Sequence, residues 1–166
     1  FGDTVLEAAR TYLGSALGPI RGRDGNVHRG RPKAGYLPMI SHLGSTISVV
    51  DGALYAKRMK GETGFAGAAC IGDGATSTGA FHEALNQAAI ERLPLVLVVA
   101  NNQFAYSTPT RRQFVCESIS AKAPGYGVQE QCLPFTAATA LGLLIRSPIA
   151  FGVCPEPDVP AGGHRF

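Results

Sequence analysis

Two short polar turns carry the residue types in this sequence that could do chemistry. The first is Gly72-Asp73-Gly74 and the second is Asn101-Asn102. Asp73 offers a carboxylate, Asn102 a side-chain carbonyl, and the irregular backbone after Asn102 further carbonyl oxygens. These are hard oxygen ligands, which suit magnesium or calcium better than zinc. The two turns therefore predict a site for a hard divalent cation.

The residues around Asp73 also suit an anion. Glycine at positions 72 and 74 would let a bulky anion approach the backbone, and the amides of Gly74 and Ala75 lie where the next helix is expected to begin, so they could donate to phosphate. One carboxylate with neutral oxygens leaves coordination positions for phosphate oxygens. The expected ligand is a metal-bridged diphosphate.

The elements that must position these turns form a strand, a helix and a second strand. An apolar run over 65–71 ends at the first turn, and residues 80–91 carry apolar side chains at helical spacing. Residues 95–100 are continuously apolar, which predicts a strand covered on both faces. In a βαβ unit with parallel strands, both turns lie at the carboxyl edge of the sheet.

The remaining elements are expected to be a first helix over 3–17, a glycine-rich loop over 18–38, and a second helix over about 45–60. A serine or threonine should cap the second helix, and its apolar face should pack on the sheet.

The spacing of GDG and NN, together with GDGATSTGAFHEALNQAA and ANNQFAYSTPT, resembles the alpha subunit of the thiamine-diphosphate-dependent 2-oxo acid dehydrogenases. This is their decarboxylating first component, of pyruvate or branched-chain type, and STPT leans towards the branched-chain members. Ala100 departs from an arginine that those members carry. The resemblance implies an α/β fold: a parallel sheet with helices on both faces, the diphosphate-binding half of the thiamine-diphosphate-binding fold.

The resemblance also implies roles for individual residues. His28 matches a catalytic histidine, and Ser41 and Leu43 match residues close to the cofactor. Phe104 matches a position whose backbone carbonyl completes the metal shell with Asp73 and Asn102. The implied cofactor-binding residues are Ser41, Leu43, Gly72, Asp73, Gly74, Ala75 and Asn102.

The implied reaction is oxidative decarboxylation of a small 2-oxo acid with thiamine diphosphate and Mg²⁺, ending on a disulfide acceptor. The implied partners are a beta subunit, which would supply the catalytic glutamate in an alpha2beta2 assembly, and a lipoyl-bearing acyltransferase component. The chain is expected to be inactive without the beta subunit.

The resemblance covers residues 1–127, interpreted as the thiamine-diphosphate-binding domain, whereas 128–166 is a tail of unrecognised sequence in a chain that looks truncated. Three alternatives remain: another thiamine enzyme half, transketolase-like or acetoin-cleaving; a non-catalytic module that binds the cofactor or docks a partner; and a general nucleotide-binding Rossmann domain.

Composition and charge disfavour two classes of protein, nucleic-acid-binding proteins and membrane-spanning proteins. A formal charge of +3 with scattered basic residues does not favour nucleic-acid binding, and the most apolar late stretch, 136–153, is interrupted and does not favour a membrane span. The four cysteines form no CxxC pair and are expected to be reduced thiols, with Cys70 buried in a strand. The expected location is cytoplasmic, or the mitochondrial matrix in a eukaryote.

Overall fold

A computed structural model describes residues 2–24, 28–132 and 149–155. Contacts divide the chain into two compact units, residues 1–41 and residues 42–166. The parts of the predicted tail at 133–148 and 156–166 lie outside the described residues.

In the described residues of the first unit there are one α-helix and a cluster of ion pairs. Helix α1 spans Val5–Tyr12, shorter than the predicted 3–17, and begins with a capping box between Thr4 and Glu7. A 3-10 turn follows at Pro32–Ala34. Asp3 accepts from Arg29 and Arg31, at 3.0 and 2.7 Å. The arginines of the glycine-rich loop are therefore partly neutralised within this unit.

The second unit is built on a four-stranded parallel sheet. Its strands are β1 (Gly67–Gly72), β2 (Leu95–Asn101), β5 (Gln129–Cys132) and β6 (Ile149–Pro155), in the order β1-β2-β6-β5. A small antiparallel hairpin, β3 (Phe104–Ala105) with β4 (Thr108–Pro109), follows β2. The predicted α/β class with a parallel sheet is confirmed.

Two helices pack against the sheet. Helix α2 spans Ser45–Met59 and α3 spans Gly79–Ile90, close to the predicted ranges. Thr78 caps α3 by accepting from the amide of Phe81 at 3.3 Å. The predicted serine or threonine cap of α2 was wrong, because Gly44 holds that position with a φ of 83°. A Cβ there would lie 2.6 Å from the Thr78 hydroxyl oxygen, so the close approach of α3 requires glycine.

One apolar core joins α2, α3 and one face of the sheet. It is centred on Phe81 and Leu85, both 0% exposed, and burial of a side chain of this size contributes roughly 1.5–3 kcal/mol. The core contains Ile47, Leu54, Ala69, Ile71, Ala75, Phe81, Ala84, Leu85, Ala88, Leu93, Leu95, Leu97, Val99, Ile119, Ala123 and Val128. The predicted apolar faces of both helices therefore point into the core.

The opposite face of β1 and β2 is less covered than the sequence predicts. In β2, Leu95, Leu97 and Val99 are buried, whereas Val96 and Val98 are only half-buried. Cys70 in β1 is exposed, so its predicted burial was wrong. Within the described residues, helices cover one face of these two strands, and Cys70 points to the other.

Candidate functional site

The two polar turns meet at one edge of the sheet, as predicted. Gly72, the last residue of β1, is paired in register with Ala100 of β2. Because the strands are parallel, the residues that follow them emerge side by side. They line a pocket of about 580 Å³ formed by Leu43, Gly72, Asp73, Gly74, Ala75, Ala100, Asn102, Phe104, Ala105 and Tyr106.

Asp73 is a buried carboxylate held by a hydrogen bond. It is 3% exposed and opens a 3-10 turn over Asp73–Ser77. The side-chain amide of Gln113 donates to Asp73 Oδ2 at 3.1 Å and to the carbonyl of Thr108 at 2.8 Å. Gln113 thereby ties the carboxylate to the hairpin and fixes its orientation.

Lys122 supports the same turn through Thr76. Its Nζ donates to the carbonyl and hydroxyl oxygens of Thr76 at 2.8 and 3.0 Å, and Thr76 Oγ1 donates to the carbonyl of Asp73 at 2.7 Å. The ammonium lies 4.5 Å from the ring centre of Phe114. Burial lowers the pKa of Lys122. The backbone that follows Asp73 is therefore fixed by a contact remote in sequence.

The two glycines of the first turn have different roles. A Cβ on Gly72 would meet none of the described atoms within 4 Å, so this side of the pocket has room for a ligand. A Cβ on Gly74 would lie 2.6 Å from the Cβ of Ala105. Glycine at position 74 is therefore needed for packing of the hairpin, beyond the anion approach that the sequence predicts.

The amides of Gly74 and Ala75 belong to the 3-10 turn, because α3 begins only at Gly79. The first amides of a helical turn have no acceptor within that turn, so they are free to donate hydrogen bonds to an anion. Ala75 is 3% exposed. The predicted phosphate donors therefore lie on the pocket, in a 3-10 turn that precedes α3.

Asn102 and Phe104 form the second side of the pocket. Asn102 Oδ1 accepts from the amide of Phe104 at 2.9 Å, which closes an Asx turn, and Asn101 does the same for Gln103. Gln103 and Tyr106 have φ values of 66° and 55°, in the left-handed region. An amide oxygen has two lone pairs, so Asn102 Oδ1 keeps one for a cation.

The donor set suits Mg²⁺ better than a transition metal. In the part of the chain that the structure describes, no group of three or more His, Cys, Asp or Glu side chains could hold a metal ion. The pocket instead offers one carboxylate with amide and backbone oxygens. Mg²⁺ is usually bound by one or two carboxylates together with water and substrate phosphates, and the open space at Gly72 could admit a phosphate.

Leu43 and Thr78 connect the start of α2 to this pocket. The hydroxyl of Thr78 donates to the carbonyls of Leu43 and Ala75, at 3.3 and 2.8 Å. The Leu43 side chain is 64% exposed. An exposed leucine on the lining offers apolar surface to a ligand, and the contact with the cofactor that the resemblance implies for Leu43 stays a prediction.

His28 and Ser41 belong to the first unit and contact each other. His28 Nδ1 lies 2.8 Å from Asp24 Oδ2, and His28 Nε2 lies 3.1 Å from Ser41 Oγ. A carboxylate only accepts, so Nδ1 carries a proton towards Asp24, and Nε2 faces the hydroxyl of Ser41. The histidine predicted to be catalytic and the serine predicted to bind the cofactor are therefore neighbours, and Asp24 orients the histidine ring.

Sequence reasoning missed Gln113 and Lys122. Gln113 is 40 positions from Asp73, and Lys122 is 46 positions from Thr76. No local spacing rule relates such residues. On α3, Nδ1 of His82 is hydrogen bonded to the hydroxyl of Tyr126, and burial raises the pKa of Tyr126.

Comparisons with known proteins identify a family for this chain. The sequence model of a family described as "Dehydrogenase E1 component" matches residues 2–130. The chain is 34% identical over 128 residues to 2-oxoisovalerate dehydrogenase subunit alpha 2, mitochondrial, of Arabidopsis thaliana. It is 45% identical over 92 residues to 3-methyl-2-oxobutanoate dehydrogenase subunit alpha of Mycobacterium tuberculosis.

These alignments cover 77% and 55% of this chain, but only 27% and 24% of those relatives, so the chain spans about a quarter of their length. A solved structure described as a thiamin diphosphate-dependent enzyme of Mycobacterium smegmatis superposes with a TM-score of 0.58 at 22% identity. That match covers 74% of this chain and 24% of the other, and shows the fold. None of the described helices is long and apolar enough to cross a membrane.

Proposed function

This chain belongs to the dehydrogenase E1 component family, and from that premise we propose that it holds the magnesium diphosphate end of thiamine diphosphate. The proposed reaction is oxidative decarboxylation of a 2-oxo acid, with this chain acting as part of an alpha subunit. The names of the relatives favour a branched-chain 2-oxo acid as the substrate.

The observation that carries the proposal is the pairing of Asp73 and Asn102 on one pocket. Both follow neighbouring parallel strands, Asp73 is oriented by Gln113, and Gly72 leaves open space beside them. Asp73 and Asn102, with the backbone carbonyl of Phe104, would ligate Mg²⁺. The amides of Gly74 and Ala75 would donate to the diphosphate, and Leu43 would support the apolar part of the cofactor.

Thiamine diphosphate, when bound, supplies the electron sink for decarboxylation. We propose that His28 is catalytic: Asp24 keeps its Nδ1 protonated, so Nε2 can accept a proton from Ser41 or from a substrate. The catalytic glutamate would come from a beta subunit in an alpha2beta2 assembly, and a lipoyl-bearing acyltransferase would take the acyl group. The proposed location is the cytoplasm, or the mitochondrial matrix in a eukaryote.

Isothermal titration of thiamine diphosphate into the full chain, with and without Mg²⁺, tests the first step. We expect Mg²⁺-dependent binding that falls at least roughly 100-fold in Asp73→Asn, because removing the carboxylate removes the anionic metal ligand. Asparagine keeps the size of the side chain and an oxygen for Gln113. Glu117→Gln, at an exposed position, is the control. Failure of the folded wild-type chain to bind, or equal binding by Asp73→Asn, contradicts the proposal.

A second candidate reaction is the cleavage of acetoin. The alpha subunit of acetoin:2,6-dichlorophenolindophenol oxidoreductase of Bacillus subtilis is 32% identical over 116 residues, covering 70% of this chain and 34% of that protein. The Mg²⁺ diphosphate site would be the same in both reactions. Activity of the chain reconstituted with its beta subunit, measured with branched-chain 2-oxo acids and with acetoin using dichlorophenolindophenol as acceptor, separates the two.

A further inference from the structure

A second pocket lies between α2 and α3, and acidic side chains line it. It encloses about 450 Å³. Asp51 and Tyr55 of α2 lie on one side, and Glu83 of α3 and its C-cap residue Glu91 lie on the other. Neither the predicted cofactor-binding residues nor the predicted metal ligands contribute to it.

Asp51 is the unusual residue of this pocket. It is 4% exposed, and among the described residues neither of its carboxylate oxygens has a hydrogen-bond partner. An ionised carboxylate buried without a partner is costly, and native structures almost always pair such a group. Burial alone raises the pKa of Asp51 to about 7. The arrangement would be completed by a cation that reaches Asp51 from outside.

The basic residues of α2 next to the pocket are already paired. Arg58 donates to the carboxylate and the main-chain carbonyl of Glu91. Lys57 pairs with Glu62. Glu83, on the facing helix, adds a further negative charge to the lining. The lining of this pocket therefore favours a cation, and no lysine or arginine belongs to it within the described part of the chain.

The surface around the pocket resembles a protein interface. Gly52 and Ala84 make part of its lining small, and a Cβ on Gly52 would meet none of the described atoms within 4 Å, so a partner can approach closely. Tyr55, Met59 and Ile90 are 39%, 71% and 66% exposed. Helical spacing places Met59 next to Tyr55, and Ile90 next to pocket residues of α3. Apolar side chains around a buried charged pair exclude water from it, and arginine is one of the residue types that most often anchor protein interfaces in this way.

We propose that this pocket receives an arginine side chain of a partner polypeptide, whose guanidinium pairs with both carboxylate oxygens of Asp51. Two unpaired oxygens on one carboxylate match the bidentate geometry of a guanidinium, which the single ammonium of lysine does not reproduce. The partner is thus a chain that presents an arginine beside apolar residues.

The first test is an NMR titration of the ¹⁵N-labelled full chain at pH 8 with N-acetyl-arginine amide. N-acetyl-citrulline amide, which is uncharged but nearly the same shape, is the matched neutral probe, and N-acetyl-lysine amide tests the geometry. We expect saturable shifts at the amides of Gly52 and Ala84 with the arginine probe, several-fold weaker binding of the lysine probe, and no saturation with citrulline. Equal binding of the arginine and citrulline probes, or no saturable shift at all, overturns the proposal.

Two variants of the pocket are tested, so that the result does not rest on a single substitution. Asp51→Asn should weaken binding of the arginine probe at least tenfold. Gly52→Met should block the pocket while keeping the charge, and Ala53→Met, at an exposed position outside the lining, is its control. Should Asp51→Asn fail to fold, the comparison of Gly52→Met with Ala53→Met decides. Unchanged binding in Gly52→Met overturns the proposal.

This inference does not depend on the proposed cofactor. Asp51 is not on the lining of the diphosphate pocket, so Asp51→Asn should keep Mg²⁺-dependent binding of thiamine diphosphate. Loss of arginine binding with retained cofactor binding in this variant separates the two sites.

Discussion

Asp73 and Asp51 are two aspartates of the same unit that are buried to nearly the same degree, 3% and 4% exposed. Gln113 donates to the carboxylate of Asp73, and Thr76, itself held by Lys122, donates to the Asp73 carbonyl. Asp51 has no hydrogen-bond partner for either oxygen in the described part of the chain. The difference shows that burial alone does not define a finished site. The chain itself orients Asp73, whereas Asp51 needs a group from outside.

The largest expected effect concerns the stability of the fold around Asp51. Burial raises the pKa of its carboxyl from the ordinary value of 3.8 to about 7 in the folded state. Between these two values the folded state binds more protons than the unfolded state, so the free energy of unfolding falls as pH rises through this range. Asp51→Asn should raise that free energy by up to about 4 kcal/mol at pH 8 and by little at pH 4.

Urea unfolding of wild type and Asp51→Asn between pH 4 and pH 8 measures this effect. Glu117→Gln, which changes an exposed carboxylate, should keep the pH dependence of the wild type. If the free energy of unfolding of Asp51→Asn depends on pH as steeply as that of the wild type, Asp51 does not cause the dependence. The contrast drawn with Asp73 is then wrong.

The second prediction concerns a variant in which the Asp73 carboxylate loses its hydrogen-bond donor and so resembles that of Asp51. Gln113→Ala deletes the amide that donates to Asp73 Oδ2 at 3.1 Å. Loss of a group that orients a metal ligand typically costs about 10–100-fold in metal affinity, so Mg²⁺-dependent binding of thiamine diphosphate should weaken by that factor. Titration calorimetry measures it. Gln87→Ala, at an exposed position of α3, should bind like wild type.

The third prediction separates the packing and ligand roles of the two glycines. Gly74→Ala places a methyl group 2.6 Å from the Cβ of Ala105 and should destabilise the fold by about 1–3 kcal/mol. Gly72→Ala meets none of the described atoms within 4 Å, so it should keep the stability but weaken cofactor binding. Thermal unfolding and calorimetry of both variants test this contrast, which fails if the two behave alike.

The smallest expected effect is at the cap of α3. Thr78→Ala removes the hydroxyl that accepts from the amide of Phe81 and should lower the free energy of unfolding by about 1 kcal/mol. Thr78→Ser keeps the hydroxyl and should lie close to wild type in urea unfolding. A loss in Thr78→Ser equal to that in Thr78→Ala would indicate that the methyl group, and not the cap, stabilises this turn.

The sequence predicted the parts of the site that depend on local pattern. The apolar runs before Asp73 and before Asn102, and the helical spacing between them, are local properties, and parallel pairing then brings both turns to one edge. The same spacing also carried the family resemblance, which the match over residues 2–130 bears out.

The missed parts depend on contacts between distant segments. Gln113 and Lys122 reach the first turn from 40 and 46 positions away. The burial of Asp51 without a partner depends on how α3 lies against α2. The exposure of Cys70 depends on which face of the sheet the helices cover. Gly44 caps α2 because Thr78 lies too close to admit a side chain there. The sequence of α2 alone gives no sign of that contact.

The sheet order has a consequence for how the protein folds. Strand β6 lies between β2 and β5, and its first residue, Ile149, pairs with Leu95, 54 positions earlier. During synthesis this edge of β2 therefore stays unpaired until Ile149 and the strand that it begins have emerged. Parallel pairing over such a separation is slow, and an unpaired apolar edge exposes the nascent chain to aggregation. The interval in which β2 waits for β6 is thus the one in which we expect a chaperone to matter most.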